Sequence, residues 1–133
     1  MTSHLNHLSA ISLFVEDVAA AKAFYLEVFG VPVVYEDAVS AALKFNNLIV
    51  NLLHTGSAPE IIAPGVVAPR DAGSRFQISI WVPDVDAVCA QLQQRGVTVL
   101  AGPVNRPWGM RTANFVDPAG HSWEVAQQLL QAP

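Results

Sequence analysis

The sequence predicts an α+β fold made of two tandem βαβββ modules, and three observations carry that prediction. The stretch Ile11 to Val18, ISLFVEDV, returns at Ile78 to Val85 as ISIWVPDV. Each copy runs into a helical pattern that stops at a glycine, VAAAKAFYLEVF before Gly30 and VDAVCAQLQQR before Gly96. Each glycine is then followed by three further β-rich segments. Two copies are too few for a solenoid, so the pattern reads as one duplicated module.

The elements follow in order. In each copy β-branched and large apolar residues make the first strand. Asp17 or Asp84 then stands at the helix N-cap, where a short carboxylate accepts from the N–H groups of the first turn. Gly30 and Gly96 suit the left-handed residue that follows a helix. The first module, about residues 7–54, continues with VPVVYE, SAALKF and LIVNLL, the last two joined by Asn46-Asn47. The second, about residues 76–128, continues with VTVLAG, RTANFV and HSWEVA, the last two joined by DPAG. Between the modules, about residues 55–75, the chain carries three Pro and three Gly without a sustained period and reads as a linker. All 133 residues are expected to form a single domain.

Composition narrows the function. A net charge of −4 with seven scattered Lys and Arg gives no cationic stripe, which argues against nucleic acid. No apolar run approaches the roughly 20 residues a membrane span needs, and no signal-peptide succession opens the chain, so a soluble cytoplasmic protein without a membrane partner is expected. The single Cys89 cannot form an internal disulfide and reads as a small core residue. Charged residues make up 14% and hydrophobic residues 52%, where an average chain is about 25% charged. That balance predicts apolar surface covered by a second copy, a homodimer.

Period-two alternation assigns faces to the strands. Ile11, Leu13 and Val15, like Phe76, Ile78, Ile80 and Val82, are expected beneath the helices. Ala10, Ser12 and Phe14, like Gln77, Ser79 and Trp81, face away. A face mixing small polar and aromatic side chains suits a ligand cavity, with plain solvent exposure as the alternative. A two-residue turn at Asn46-Asn47 sets Ala42 opposite Asn51 and Lys44 opposite Ile49, which places Lys44 on the Asn51 face. A symmetric closure at DPAG sets Ala113 opposite Glu124. Arg111 and Phe115 would then share the Glu124 face, with Arg111 as its diagonal cationic neighbour, and a one-residue slip would undo this. Trp108, in NRPWGMRT, either walls the site or holds a loop or dimer contact. The candidate ligand-binding set is therefore Ser12, Phe14, Lys44, Asn51, Gln77, Ser79, Trp81, Trp108, Arg111, Phe115 and Glu124.

The segments VEDVAAAKAFYLEVFG, WVPDVDAV and PWGMRTANFVDPAGHSWEV resemble, in their order and spacing and over nearly the whole chain, the vicinal oxygen chelate superfamily. That superfamily includes glyoxalase I, the bleomycin-resistance proteins, extradiol dioxygenases and fosfomycin-resistance enzymes. The resemblance implies a curved mixed sheet around a cleft, and in the family's enzymes a divalent metal with up to four ligands on the first and last strands of each module. Those positions fall here on Ala10, where His is usual, on Asn51, where glyoxalases carry Glu, and on Gln77 and Glu124. One carboxylate, two amides and an alanine fall short of the three good protein ligands of catalytic zinc, and a single charge predicts weak binding of harder ions. His7, His54 and His121 each lie three residues from one of these positions, out of phase on an extended strand unless a bulge intervenes, and His4 is close to the N-terminus. No metal and no cofactor is therefore expected.

The resemblance is closest in character to the metal-free, bleomycin-resistance-like branch. It implies metal-independent binding or sequestration of a small, planar aromatic molecule. Phe14 and Trp81 would be the walls, or else pack together as core, and Ser12, Asn51, Gln77 and Ser79 would be orienting groups. The alternative is a lyase or dioxygenase-type enzyme with a reduced metal site or with Glu124 as general base. A partner-binding module is a third class, marked by an exposed apolar patch and an empty cleft.

Overall fold

The computed structural model describes residues 3–129. The chain divides into two compact units, Met1–Pro69 and Arg70–Pro133. The first contains β1 (Ala10–Val15), α1 (Val18–Phe29), β2 (Val33–Glu36), β3 (Ser40–Lys44) and β4 (Ile49–His54), followed by the short helix α2 (Pro59–Ile62). The second contains β5 (Ile78–Trp81), α3 (Val85–Gln94), β6 (Ala101–Asn105), β7 (Met110–Val116) and β8 (Ser122–Gln128). The strand orders, β1-β4-β3-β2 and β5-β8-β7-β6, are the same in form. In each sheet the first strand runs parallel to the fourth and the other pairs are antiparallel. The α+β expectation thus holds as two four-stranded mixed sheets, each the product of one βαβββ module. The expected linker is not wholly irregular, since it holds α2 and 3-10 turns at Thr55–Ser57 and Arg70–Ala72. Among the described residues no helix is long and apolar enough to cross a membrane.

The helix boundaries follow from the capping residues. Asp17 Oδ1 accepts from the Ala20 N–H at 3.0 Å and Asp84 Oδ1 from the Ala87 N–H at 3.1 Å, satisfying donors that the first turn cannot. Helix α1 ends at Gly30, φ 65°, whose N–H donates to the Leu26 carbonyl. Helix α3 ends in a Schellman arrangement, with the Val97 N–H donating to Leu92 O at 2.9 Å and the Gly96 N–H to Gln93 O at 3.1 Å. This end explains a difference from the sequence reading. Buried Val97 belongs to the helix cap, so the strand expected at VTVLAG begins at Ala101 instead. Pro103 is tolerated there because β6 is an edge strand, and the β6–β7 register shifts between Ala101 and Val104.

Each helix buries residues at i, i+4 and i+7: Ala21, Tyr25 and Val28 in α1, Val85, Cys89 and Leu92 in α3. The first sheet meets α1 with Leu13, Val15, Ala41, Leu43, Val50 and Leu52; the second meets α3 with Ala113, Phe115, Trp123 and Val125. Full burial of each large apolar side chain contributes about 1.5–3 kcal/mol relative to exposure. Burial also pushes the Cys89 thiol pKa up, so it stays protonated as a core residue.

Candidate ligand-binding faces

With those apolar residues turned toward the helices, strand alternation fixes what each sheet presents on its other side. In the first sheet Ser12 and Ala42 both align with Asn51, and Lys44 aligns with Ile49. Ser12, Phe14, Asn51 and Lys44 therefore share the open face, as expected from the two-residue turn at Asn46-Asn47. The Asn51 amide donates to Ser12 Oγ at 3.5 Å. Tyr35, unnoticed in the sequence, aligns with Ala42 on this face and donates its hydroxyl to Asp37 at 3.0 Å. That bond and the Asp37 charge raise the tyrosine pKa.

The second sheet presents a polar ladder across the parallel pair β5–β8. Ser79 aligns with Glu124 and Trp81 with Ala126. The Ser79 hydroxyl donates to Glu124 Oε1 at 2.7 Å, and Gln77 Nε2 donates to Ser122 Oγ at 3.1 Å. Trp81 stands on the same face, 70% exposed. From β7, Thr112 aligns with Ala126 and Asn114 with Glu124. Arg106 donates from Nε to Thr112 Oγ1 at 3.0 Å, and its guanidinium lies 6.0 Å from the Trp108 ring centroid, within cation–π range. Trp108 is itself 69% exposed.

The register of the second hairpin corrects the expectation for Arg111 and Phe115. Asn114, not Ala113, opposes Glu124. Both Arg111 and Phe115 consequently face the helix side. Phe115 is 1% exposed in the core, and Arg111 donates to Asp86 of α3 and to Asn105 Oδ1. The cause is the turn. Asp117 Oδ1 accepts from the Ala119 N–H at 3.0 Å and the His121 N–H at 2.9 Å, while His121 Nδ1 lies 2.9 Å from Oδ2. His121 is thereby drawn into the loop, so residues 117–121 separate the aligned pair Val116 and Ser122. One more loop residue than DPAG supplies moves every β7 side chain to the opposite face.

Do these side chains fit the divalent metal that the family resemblance implies? Ala10 offers no donor atom, Asn51 and Gln77 are neutral amides hydrogen-bonded to serines, and Glu124 is the one carboxylate. His54 Nδ1 accepts from the Gly56 N–H, and His121 is held by Asp117, so neither fills the gap within its unit. Among the described residues no group of three or more His, Cys, Asp or Glu side chains is placed to hold a metal ion. This donor set does not fit a resident metal.

Comparison with known proteins places the chain. The family model for the Glyoxalase/Bleomycin resistance protein/Dioxygenase superfamily matches residues 4–125. An uncharacterized protein of Mycobacterium bovis is 30% identical over 124 residues, 88% of this chain and 80% of that one. The chain belongs to the Glyoxalase/Bleomycin resistance protein/Dioxygenase superfamily. Among solved structures, a glyoxalase/bleomycin resistance protein/dioxygenase from Nocardioides superposes with a TM-score of 0.87 at 20% identity, covering 98% of this chain and 89% of that one. A lactoylglutathione lyase from Agrobacterium tumefaciens gives 0.73 at 22%, covering 92% and 93%. At those identities the likeness is one of fold alone. TnmS3, an antibiotic binding protein from Streptomyces sp. CB03234, gives 0.70 at 28% identity, covering 96% and 99%.

Proposed function

We propose that this protein binds a small planar aromatic molecule without a metal, in the manner of a binding or sequestering protein. The observation that carries the reading is Trp81. Its indole is 70% exposed on a sheet face whose neighbouring polar groups, Gln77, Ser79, Ser122 and Glu124, are held in fixed hydrogen bonds. An exposed flat ring beside oriented polar groups is matched by a ligand that covers the ring and meets those groups. Phe14 occupies the corresponding strand position in the first module, beside Ser12 and Asn51. Similarity to an antibiotic binding protein over nearly the whole chain supports the same reading.

The test is a titration with quinoline, naphthalene and acridine derivatives of neutral, positive and negative charge, followed by calorimetry and ligand-observed NMR. Saturable one-to-one binding of at least one, with dissociation constants of tens of micromolar or tighter (about −6 kcal/mol or better), supports the proposal. Absence of saturable binding across the panel overturns it.

A second reading rests on Glu124, the carboxylate on the open face of the second sheet. With Oε1 engaged by Ser79, its other oxygen could act as a general base in a lyase-type reaction. Turnover lost in Glu124→Gln would support the general base, and the reduced-metal-site form of this reading is tested by elemental analysis of unchelated protein before and after dialysis against nickel, manganese, iron and zinc. Near-stoichiometric metal lost on Glu124→Ala favours a metalloenzyme. We also propose a homodimer in the cytoplasm, motivated by the low charged fraction and by exposed Val34 and Tyr35 on edge strand β2. Light scattering showing a monomer at micromolar concentration would remove the dimer.

A further inference from the structure

We propose that Asn114 and Glu124 form an acceptor pair for a flat, N–H-donating cation, an amidinium-like or guanidinium-like group carried on an aromatic ring. This rests on the ligand-binding reading above and narrows its ligand class. Asn114 Oδ1 is buried and has no hydrogen-bond partner among the described residues. Leaving such an atom unsatisfied is costly, and folded proteins keep few of them. A group retained at that cost is accounted for if a ligand supplies the missing donor.

The surroundings specify the donor. Asn114 directly opposes Glu124 across the antiparallel pair β7–β8, and both project away from the helix because their strand neighbours Ala113, Phe115, Trp123 and Val125 are buried against it. Side chains opposed in this way start from Cβ atoms about 4.5–5.5 Å apart, which one flat group with two N–H donors can bridge. The Ser79 hydroxyl holds Glu124 by Oε1 and leaves Oε2 as an acceptor. Three polar side chains that could have supplied a donor are engaged elsewhere: Arg111 with Asp86 on the opposite face, Arg106 with Thr112, and Gln77 with Ser122. Two acceptors, one of them charged, therefore stand together and call for a donor from outside. Trp81, two residues along β5 from Ser79, offers its exposed ring on the same face. A ring-borne cation can stack there while its N–H groups reach the acceptor pair. An anionic ligand of the same shape would be repelled by the Glu124 carboxylate.

The probes are benzamidine and its near-isostere benzoate, measured by calorimetry on the wild type, Glu124→Gln and Asn114→Leu. Benzamidine is expected to saturate, benzoate to bind at least tenfold more weakly, and each substitution to weaken benzamidine about tenfold. Asn114→Leu is also expected to keep or raise the unfolding midpoint, because it removes an unsatisfied polar atom at similar volume. Equal binding of benzoate, benzamidine binding unchanged in Glu124→Gln, or a marked loss of stability in Asn114→Leu would each overturn the proposal. If neutral planar aromatics still bind under any of those results, the broader ligand-binding reading survives and only this one falls. Binding of no aromatic probe of any charge removes both.

Discussion

Arg111 holds Asp86 through two parallel hydrogen bonds, Nε to Oδ2 and Nη2 to Oδ1, each 2.9 Å long. This fork ties β7 to the first turn of α3 on the helix side of the second sheet. The same contact explains the charge state of the pair: the Arg111 hydrogen bond holds the Asp86 carboxyl below its ordinary value, and Asp86 in turn raises the arginine.

The acid limb of stability follows from that shift. Asp86 titrates lower in the folded chain than in the unfolded one, whose value is about 3.9. Its contribution is therefore present above about pH 4 and is lost as pH falls through the depressed folded value. Urea midpoints measured from pH 7 down to pH 2 should fall less steeply for Asp86→Asn than for the wild type. Some acid sensitivity should remain, because the Val39 N–H and the Ser40 and Tyr35 hydroxyls depress Asp37 in the same direction. Identical pH slopes for the two proteins would contradict the assignment.

Asp117 controls the second hairpin. It is 2% exposed and accepts two backbone N–H bonds beside the His121 ring. Asp117→Ala leaves those donors unsatisfied and should cost about 3 kcal/mol in chemical denaturation. Asp117→Asn, which retains an acceptor oxygen, should lose less. Equal losses would show that the acceptor geometry is not what fixes the turn.

Two glycines should respond differently to alanine. Gly30, φ 65°, has open space around a built Cβ, so Gly30→Ala should cost about 1 kcal/mol through the left-handed backbone alone. At Gly102, φ 89°, the same atom would press against the Thr112 carbonyl oxygen and lie 3.0 Å from Ala113 Cα. Gly102→Ala should therefore lose clearly more stability than Gly30→Ala in parallel thermal and urea unfolding, and the reverse order would contradict this account of β6 against β7.

Much of the fold was legible because local signals agreed with one another. Asp17 and Asp84 cap as their positions suggest, and the alternation in ISLFV and ISIWV assigns the strand faces that the structure shows. Asn46-Asn47 fixed the first hairpin register because a two-residue turn leaves little freedom. The second hairpin failed at one residue. Nothing in DPAG announces that the Asp117 carboxylate will also gather His121, and that bond reverses the faces of Arg111 and Phe115. Val97 is of a β-branched type that fits a strand, yet the packing and hydrogen bond of the helix end claim it. Asn114 had a faint signal: an asparagine amid TANFV is a poor strand residue between apolar neighbours. Its missing hydrogen bond became visible only with the register in place.

The central claim, that Trp81 is a ligand-contacting wall, is tested most directly by Trp81→Ala with the tightest-binding aromatic compound from the panel. The account predicts at least a tenfold loss of affinity by calorimetry, with unfolding free energy changed by less than about 0.5 kcal/mol because the ring is exposed. Unchanged affinity, or a core-sized loss of stability of about 3–5 kcal/mol, would contradict it.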